Sequence, residues 1–178
     1  MNLLKFFNDV GKLKTLKRAG WVLRGIKNAE SVAEHSYRTA VLAMAIADKL
    51  DLQKKEKLRL IEMALIHDLG EAYVGDIVPE QNIPKKKKHL LEKKAQKKIF
   101  ANLQNGKYYF KLWLEYENNK TKVSKLLHQL DKLEMVIQSL EYQKQHKAKK
   151  FDEFIESARE KIVDKEIKKL LERLLLKR

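Results

Sequence analysis

The amino-acid sequence predicts an all-α protein. Its 178 residues include only six glycines and two prolines, the residues that most often interrupt helices. Apolar side chains recur every three or four positions along most of the chain, whereas the strict alternation typical of strands is rare. The length suits one domain, so we expect residues 1–178 to form a single helical domain.

The first half of the chain should contain three helices. One covers about Leu3–Lys17 and is followed by a loop, RAGWVLRGIKNAE. Ser31, with Glu34 three residues later, has the pattern of a capping box and predicts a second helix that runs to about Leu50. The remaining predicted elements are a helix over about Lys54–His67, a turn or loop over Asp68–Ile83, a long helix from Pro84 to near Gly106, a shorter helix over YYFKLWLEYEN, a helix over Lys122–Gln145, and one or two helices from near Phe151.

The charge is strongly positive, at +15 with a pI of about 9.8. Such a surface attracts anions. The charge is mostly lysine spread along the chain, which favours a solvated basic surface around an anion-binding site over specific nucleic-acid binding. The run Lys85–Lys88 is interpreted in the same way, as one exposed helical turn.

The absence of cysteine excludes disulfides and thiolate metal sites. The N-terminal segment MNLLKFFNDVGKLKTLKR lacks the apolar core of a signal peptide. No uncharged run approaches the roughly 20 residues that span a bilayer. We therefore expect a soluble cytoplasmic protein with no membrane partner.

Four polar residues stand next to apolar helix faces: His35, His67, Asp68 and Asp131. A single histidine in such a position is usually a hydrogen-bonded core residue, and a single aspartate usually lies at the boundary with water. Four such groups together are better explained by a bound cation, because burying charge without compensation is costly. Two imidazoles and two carboxylates suit Mn, Fe, Co, Ni or Zn rather than Ca or Mg.

Three segments carry a resemblance to a known family: LKRAGWVLRGI, ESVAEHSYRTA and IHDLGEAYVGDIVPEQNIPKKKKH. They resemble the HD-domain metal-dependent phosphohydrolases, in the 5'-deoxynucleotidase branch, over roughly residues 5–145. The resemblance implies a helical HD-domain fold with the metal site between core helices. It implies that His35, His67, Asp68 and Asp131 hold one divalent metal, in a metal-site core of about residues 30–135 followed by C-terminal helices over about 149–178.

Two further acids follow the His-Asp pair. If the helix persists for one more turn, Glu71 lies on the same face as the ligands and could orient or deprotonate the attacking water. Gly75 allows a tight turn before Asp76. The resemblance implies that Asp76 protonates the leaving alkoxide or activates water, or that Glu71, Asp76 and the carbonyl of Ile77 hold a second cation such as Mg. The sequence leaves these roles open.

Substrate contacts are predicted near the first histidine. Arg18, Arg24 and Arg38 are candidates to bind a phosphate, because a guanidinium can do so bidentately. Trp21 could pack against the sugar or base, or could belong to the core. The bacterial relatives carry an adjacent Arg-Trp pair here, whereas this chain reads Arg18-Ala19-Gly20-Trp21, so its preference for deoxyribose is open.

The expected activity is hydrolysis of deoxynucleoside 5'-monophosphates to deoxynucleoside and phosphate through a metal-activated water. One alternative is another small phosphate ester, such as a cyclic nucleotide, an alarmone or a nucleoside triphosphate. The other is a basic helical nucleic-acid-binding protein. The family usually forms homodimers, and YYFKLWLEYE could supply part of such an interface or belong to the core.

Overall fold

The computed structural model describes residues 1–146 and 151–176. Residues 149, 150, 177 and 178 of the predicted C-terminal segment lie outside the described residues. Within the described ranges the chain is helical and forms no strand; two backbone positions, Lys17 and Ser31, form an isolated bridge. No helix in these ranges is both long and apolar enough to cross a bilayer. The all-α prediction is confirmed.

The helices are, in chain order, α1 (Leu3–Gly11), α2 (Ala19–Leu23), α3 (Val32–Lys49), α4 (Lys54–Ile66), α5 (Glu71–Val74), α6 (Lys85–Phe100), α7 (Gly106–Asn118), α8 (Lys122–Gln145), α9 (Asp152–Lys161) and α10 (Lys165–Leu175). Two short 3₁₀ turns, Lys12–Lys14 and Pro79–Gln81, complete the secondary structure of the described residues.

The first of two compact units comprises Met1–Tyr37 and Leu65–Glu117. In this unit α5 packs on α6, and α1 contacts both helices. Its largest fully buried side chains include Trp21, Phe100 and Trp113. These aromatic side chains bury a large apolar area, which stabilises the packing of short helices that would not be stable alone.

The second unit comprises Arg38–Ala64 and Asn118–Arg178. Its centre is α8, which packs against α9 and α10. Leu127, Leu130 and Leu133 of α8 are fully buried at the three- and four-residue spacing that predicted this helix. The expected division of one domain into a metal-site core and C-terminal helices stays a prediction.

Two helix starts show why the local predictions succeeded. The helix α8 begins at Lys122 as predicted, because Thr121 accepts a hydrogen bond from the Ser124 amide at 3.1 Å. The capping box before α3 is also confirmed: Glu34 accepts from the Ser31 amide at 2.6 Å, and Ser31 Oγ accepts from the Glu34 amide at 3.2 Å. These reciprocal bonds satisfy amides that have no helical partner.

Several boundaries differ from the predictions. The first helix ends at Gly11 rather than Lys17, and the predicted loop after it contains the short helix α2. The predicted loop over Asp68–Ile83 contains α5 and a 3₁₀ turn. The helix α6 ends at Phe100, not near Gly106, because the chain folds back: a Cβ on Gly106 would lie 1.9 Å from the Phe100 carbonyl oxygen.

Candidate metal centre

The backbone of the His67-Asp68 pair is fixed by two buried side chains. The pair directly follows the end of α4, where the last carbonyl groups have no helical partner. Gln96 Nε2 donates to the carbonyl oxygens of Ile66 and His67, both at 3.1 Å. Trp113 Nε1 donates to the same His67 carbonyl at 3.2 Å. Neither Gln96 nor Trp113 is predicted by the sequence as a site residue.

The side chains of His35, His67 and Asp68 converge. His35 lies in the first turn of α3, just after the Ser31 cap. Its Nε2 atom is 3.8 Å from Asp68 Oδ2, and His67 Nε2 is 3.1 Å from the same oxygen. The centroids of the two imidazole rings are 5.6 Å apart. The structure therefore brings together three of the four predicted ligands.

These three residues fit a divalent cation. One ligand atom from each lies within 4.8 Å of the others. Donors about 2.1 Å from a common ion, at tetrahedral to right angles, lie roughly 3.0–3.4 Å apart. The 3.1 Å separation of His67 Nε2 from Asp68 Oδ2 lies in this range, and the 3.8 Å separation of His35 Nε2 from the same oxygen lies just above it. His35 and His67 are buried, with 0% and 4% exposure, so the donors are shielded from bulk water.

Asp68 has the protonation state that a ligand needs. Burial would raise its pKa, but the charge and hydrogen bond of His67 and the charges of Arg18 and His35 outweigh burial and lower it. Arg18 Nη1 is 3.6 Å from Asp68 Oδ2. The carboxylate is therefore ionised at neutral pH and available to a cation.

Asp131, the fourth predicted ligand, lies on α8 in the second unit. It is 9% exposed, and its Oδ2 atom is 3.3 Å from the ammonium of Lys132. Its role as a metal ligand stays a prediction.

Glu71 is positioned by a turn and a new helix, rather than by the continuous helix considered from the sequence. The helix does not persist beyond Ile66; a turn, closed by the Glu71 amide donating to the Asp68 carbonyl at 3.0 Å, leads into the new helix α5. Glu71 is buried, and its Oε2 atom has no hydrogen-bond partner among the described residues. Burial, together with the negative charges of Asp68 and Asp76, raises its pKa well above the usual range.

Asp76 is held against the segment that precedes α2. Gly75 ends α5 with φ +78° and ψ 169°, a conformation that residues other than glycine rarely adopt, directly before Asp76. Asp76 Oδ2 accepts from the Ala19 amide at 2.7 Å, and Asp76 Oδ1 lies 3.3 Å from Arg18 Nη1. Arg18 therefore bridges Asp68 and Asp76.

The other predicted substrate contacts have protein partners. Trp21 is 2% exposed and its Nε1 donates to Glu30 at 2.8 Å, which favours its alternative as a core residue. Arg24 donates to Glu80 at 2.9 Å. Arg38, in the second unit, is paired with Glu134 and Glu141 at 2.7 and 2.8 Å. Their roles as substrate contacts stay predictions.

One lysine of the predicted exposed turn belongs to this site. Lys85, Lys86 and Lys87 are exposed, but Lys88 is half-buried and donates to the Ile77 carbonyl at 2.8 Å. Its ammonium is 3.6 Å from Glu92 Oε1. The positions 88, 92 and 96 lie on one face of α6 at four-residue spacing, which is the signal in the sequence that distinguishes this lysine.

The fold agrees with the comparisons to known proteins. The HD domain family profile matches residues 10–172. The chain belongs to the HD domain family. A 5'-deoxynucleotidase HDDC2 from Dictyostelium discoideum is 46% identical over 151 residues, which cover 81% of this chain and 79% of that protein.

The 5'-deoxynucleotidase HDDC2 of Homo sapiens is 40% identical over 176 residues, 97% of this HD-domain chain and 84% of the human protein. Among solved structures, a conserved hypothetical protein from Pyrococcus furiosus superposes with a TM-score of 0.80 at 30% identity, covering 96% of this chain and 97% of that one. The similarity thus extends over nearly the whole chain.

Proposed function

We propose that this HD-domain protein is a metal-dependent 5'-nucleotidase that hydrolyses deoxynucleoside 5'-monophosphates to deoxynucleoside and phosphate. The observation that carries the proposal is the cluster of buried His35 and His67 with the partly exposed Asp68, whose ligand atoms lie within 4.8 Å of one another. The substrate class is supported by relatives at 46% and 40% identity that bear the name 5'-deoxynucleotidase.

We infer that Asp131 is the fourth ligand, and that the metal is Mn, Co, Fe, Ni or Zn. A second carboxylate would balance the 2+ charge of the ion, and Asp131 is a nearly buried acid at the position that the family pattern assigns to this ligand. A divalent cation held there would lower the pKa of water and stabilise negative charge on a phosphoryl oxygen.

Glu71 is proposed to move the proton. Its buried carboxylate has an oxygen with no hydrogen-bond partner among the described residues, and its pKa is raised, which makes the carboxylate a stronger base toward the attacking water. The water oxygen forms the new bond to phosphorus, the bond to the 5'-oxygen breaks, and that oxygen must then receive a proton. Glu71 can return the one it took, and Asp76 is the other candidate for this step.

Arg18 is proposed to bind the substrate phosphate. Its guanidinium lies beside Asp68 and Asp76, with 13% of the side chain exposed, so it lies at the candidate centre and still reaches solvent. Arg24, Arg38 and Trp21 are weaker candidates, because each already has a protein partner. Trp21 is buried and two residues separate it from Arg18, unlike the adjacent Arg-Trp pair of the bacterial relatives. The preference for deoxyribose over ribose must therefore be measured directly.

The proposal is tested by phosphate release from purified protein that has been stripped with chelator. Mn, Co, Mg, Zn and Ni are crossed with deoxy- and ribonucleoside 5'-monophosphates. Metal-dependent release from deoxynucleotides supports the proposal, and the ribonucleotide arm reports the sugar preference. Failure with every monophosphate and every metal would overturn it, and cyclic, bis- and triphosphate substrates would then be assayed.

We also infer that the protein acts in the cytoplasm as a homodimer. The cytoplasm holds the nucleotide pool that such an enzyme would use. Leu3, Leu4 and Phe7 of α1 form an apolar face with exposures of 41%, 77% and 61%, which a second copy could cover. The aromatic segment of α7 is less suited to an interface, because Leu112, Trp113 and Tyr116 are buried in the first unit. Light scattering after size exclusion measures the mass directly.

A further inference from the structure

Lys88 donates a hydrogen bond to the Ile77 carbonyl oxygen, which a second cation would need as a ligand. The resemblance implies that such an ion would bind Glu71, Asp76 and the Ile77 carbonyl. In the structure, Lys88 Nζ donates to that carbonyl at 2.8 Å, and 39% of the lysine side chain remains exposed. A chain ammonium therefore already provides a positive charge at this oxygen.

The Asp76 carboxylate also has hydrogen-bond and ion-pair partners within the protein. Both oxygens of Asp76 have partners, since Oδ2 accepts from the Ala19 amide at 2.7 Å and Oδ1 lies 3.3 Å from the Arg18 guanidinium. Only Glu71 retains an oxygen with no hydrogen-bond partner among the described residues. One carboxylate oxygen is a poor site for Mg²⁺, which requires several oxygen ligands in octahedral geometry.

The charges of the chain lead to the same result. Glu71, Asp68 and Asp76 are three acids in one buried region, and Arg18 and Lys88 are the cations whose charges act on Glu71 against burial and the other acids. A divalent ion that bound the Ile77 carbonyl would lie close to the Lys88 ammonium and repel it. The residues present therefore do not fit a second divalent cation while Lys88 keeps this position.

We propose that Lys88, together with Arg18, replaces the second cation, so that the protein holds one divalent cation per chain and accepts another only when the Lys88 charge is removed. This inference rests on the proposed function for the first site, formed by His35, His67 and Asp68. Lys88 is accordingly a positioning residue: it fixes the Ile77 carbonyl and compensates the acids without contacting the reacting atoms.

The experiment measures bound Mn²⁺ by equilibrium dialysis and by electron paramagnetic resonance on the full-length, chelator-stripped protein. The variants are Lys88→Met, Lys88→Gln, the charge-retaining Lys88→Arg, and Lys87→Met as the matched control on the exposed side of the same turn. Wild type, Lys88→Arg and Lys87→Met are expected to bind one Mn²⁺ per chain. Lys88→Met and Lys88→Gln should bind two, with spectra broadened by coupling between neighbouring ions.

Two results would overturn the inference alone: a second Mn²⁺ in the wild type, or a single Mn²⁺ in both neutral variants when circular dichroism shows them folded. If no variant, including the wild type, binds Mn²⁺ or another transition metal, the proposed function fails and the inference fails with it. The number of Mn²⁺ ions bound by the wild type therefore distinguishes failure of this inference from failure of the proposed function.

Discussion

The two donors to the His67 carbonyl lead to a quantitative prediction about the support of the metal centre. Trp113→Phe removes one of them and leaves the Gln96 bond at 3.1 Å in place. A neutral hydrogen bond contributes about 1 kcal/mol net, and the smaller ring loses some packing, so the free energy of unfolding should fall by about 1–2 kcal/mol.

Gln96→Met removes the other donor and also the bond to the Ile66 carbonyl. The loss is partly offset, because Gln96 Oε1 is a buried acceptor with no hydrogen-bond partner among the described residues, and the substitution eliminates it. The expected net cost is again about 1–2 kcal/mol.

The double variant leaves the His67 carbonyl without either donor. A buried acceptor with no partner costs an additional 1–3 kcal/mol or so, which makes the combined loss larger than the sum of the single losses. Urea unfolding of metal-free protein, followed by circular dichroism, measures the free energy of unfolding of the wild type, the two single variants and the double variant. Trp113→Phe combined with Gln129→Met, whose native hydrogen bonds lie in the second unit, is the additive control.

If the double variant is additive within about 0.5 kcal/mol, the shared carbonyl is not a point of coupling and the reasoning is refuted. A coupled result should be accompanied by weaker metal binding in the double variant, because the same bonds fix the backbone from which the His67 side chain extends.

Three other predictions concern acids and the turn of the site. Burial raises the pKa of Glu92 to about 7, so metal-free wild type should lose stability as the pH rises from 4.5 to 7, and Glu92→Gln should remove up to roughly 3 kcal/mol of that loss in urea titrations. Burial opposes the low pKa of Asp9, but hydrogen bonds from Lys5, Tyr73 and Lys12 prevail and lower it; Asp9→Asn should therefore destabilise the protein by about 2 kcal/mol at pH 7, and the difference should narrow progressively as the pH falls below about 4. Gly75→Ala should lower the free energy of unfolding by about 1–3 kcal/mol. It should also reduce turnover at temperatures where the variant is still folded, because Asp76 is displaced.

Each of these has a contradicting outcome. A stability profile of Glu92→Gln that parallels wild type across pH 4.5–7 would show that the carboxylate is not held protonated. A constant gap between wild type and Asp9→Asn down to pH 3 would show that the ion pairs are not the cause. Full activity in Gly75→Ala would show that the position of Asp76 does not matter.

Local sequence rules predicted the elements whose signals lie within the chain segment itself. The start of α8 follows from Thr121 and a regular apolar stripe, and the start of α3 follows from the Ser31 capping box. The early end of α6 could not be predicted, because it depends on the close approach of Gly106 to the Phe100 carbonyl, a contact that exists only after folding. The five residues of α2 are too few to give a periodic signal.

The same distinction holds for the site. The grouping of the candidate ligands His35, His67 and Asp68 was predictable because polar residues on apolar faces need an explanation. The contact of Lys88 was not predicted: its four-residue spacing from positions 92 and 96 places it on one face of α6, but only the folded position of the Ile77 carbonyl shows what it contacts. Trp113 was likewise ambiguous, because an aromatic residue in a helix can serve the core, an interface or a hydrogen bond to a distant carbonyl.

The most direct test of the account compares two histidine variants in metal content and in phosphate release from a deoxynucleoside 5'-monophosphate. His67→Ala removes a buried candidate ligand, and His89→Ala removes an exposed histidine that pairs with Glu117 at 2.8 Å. The account predicts that His67→Ala loses bound metal and turnover together, by at least about a hundredfold in turnover, while His89→Ala keeps both. Turnover that persists in folded His67→Ala, or in chelator-treated wild type, would contradict it.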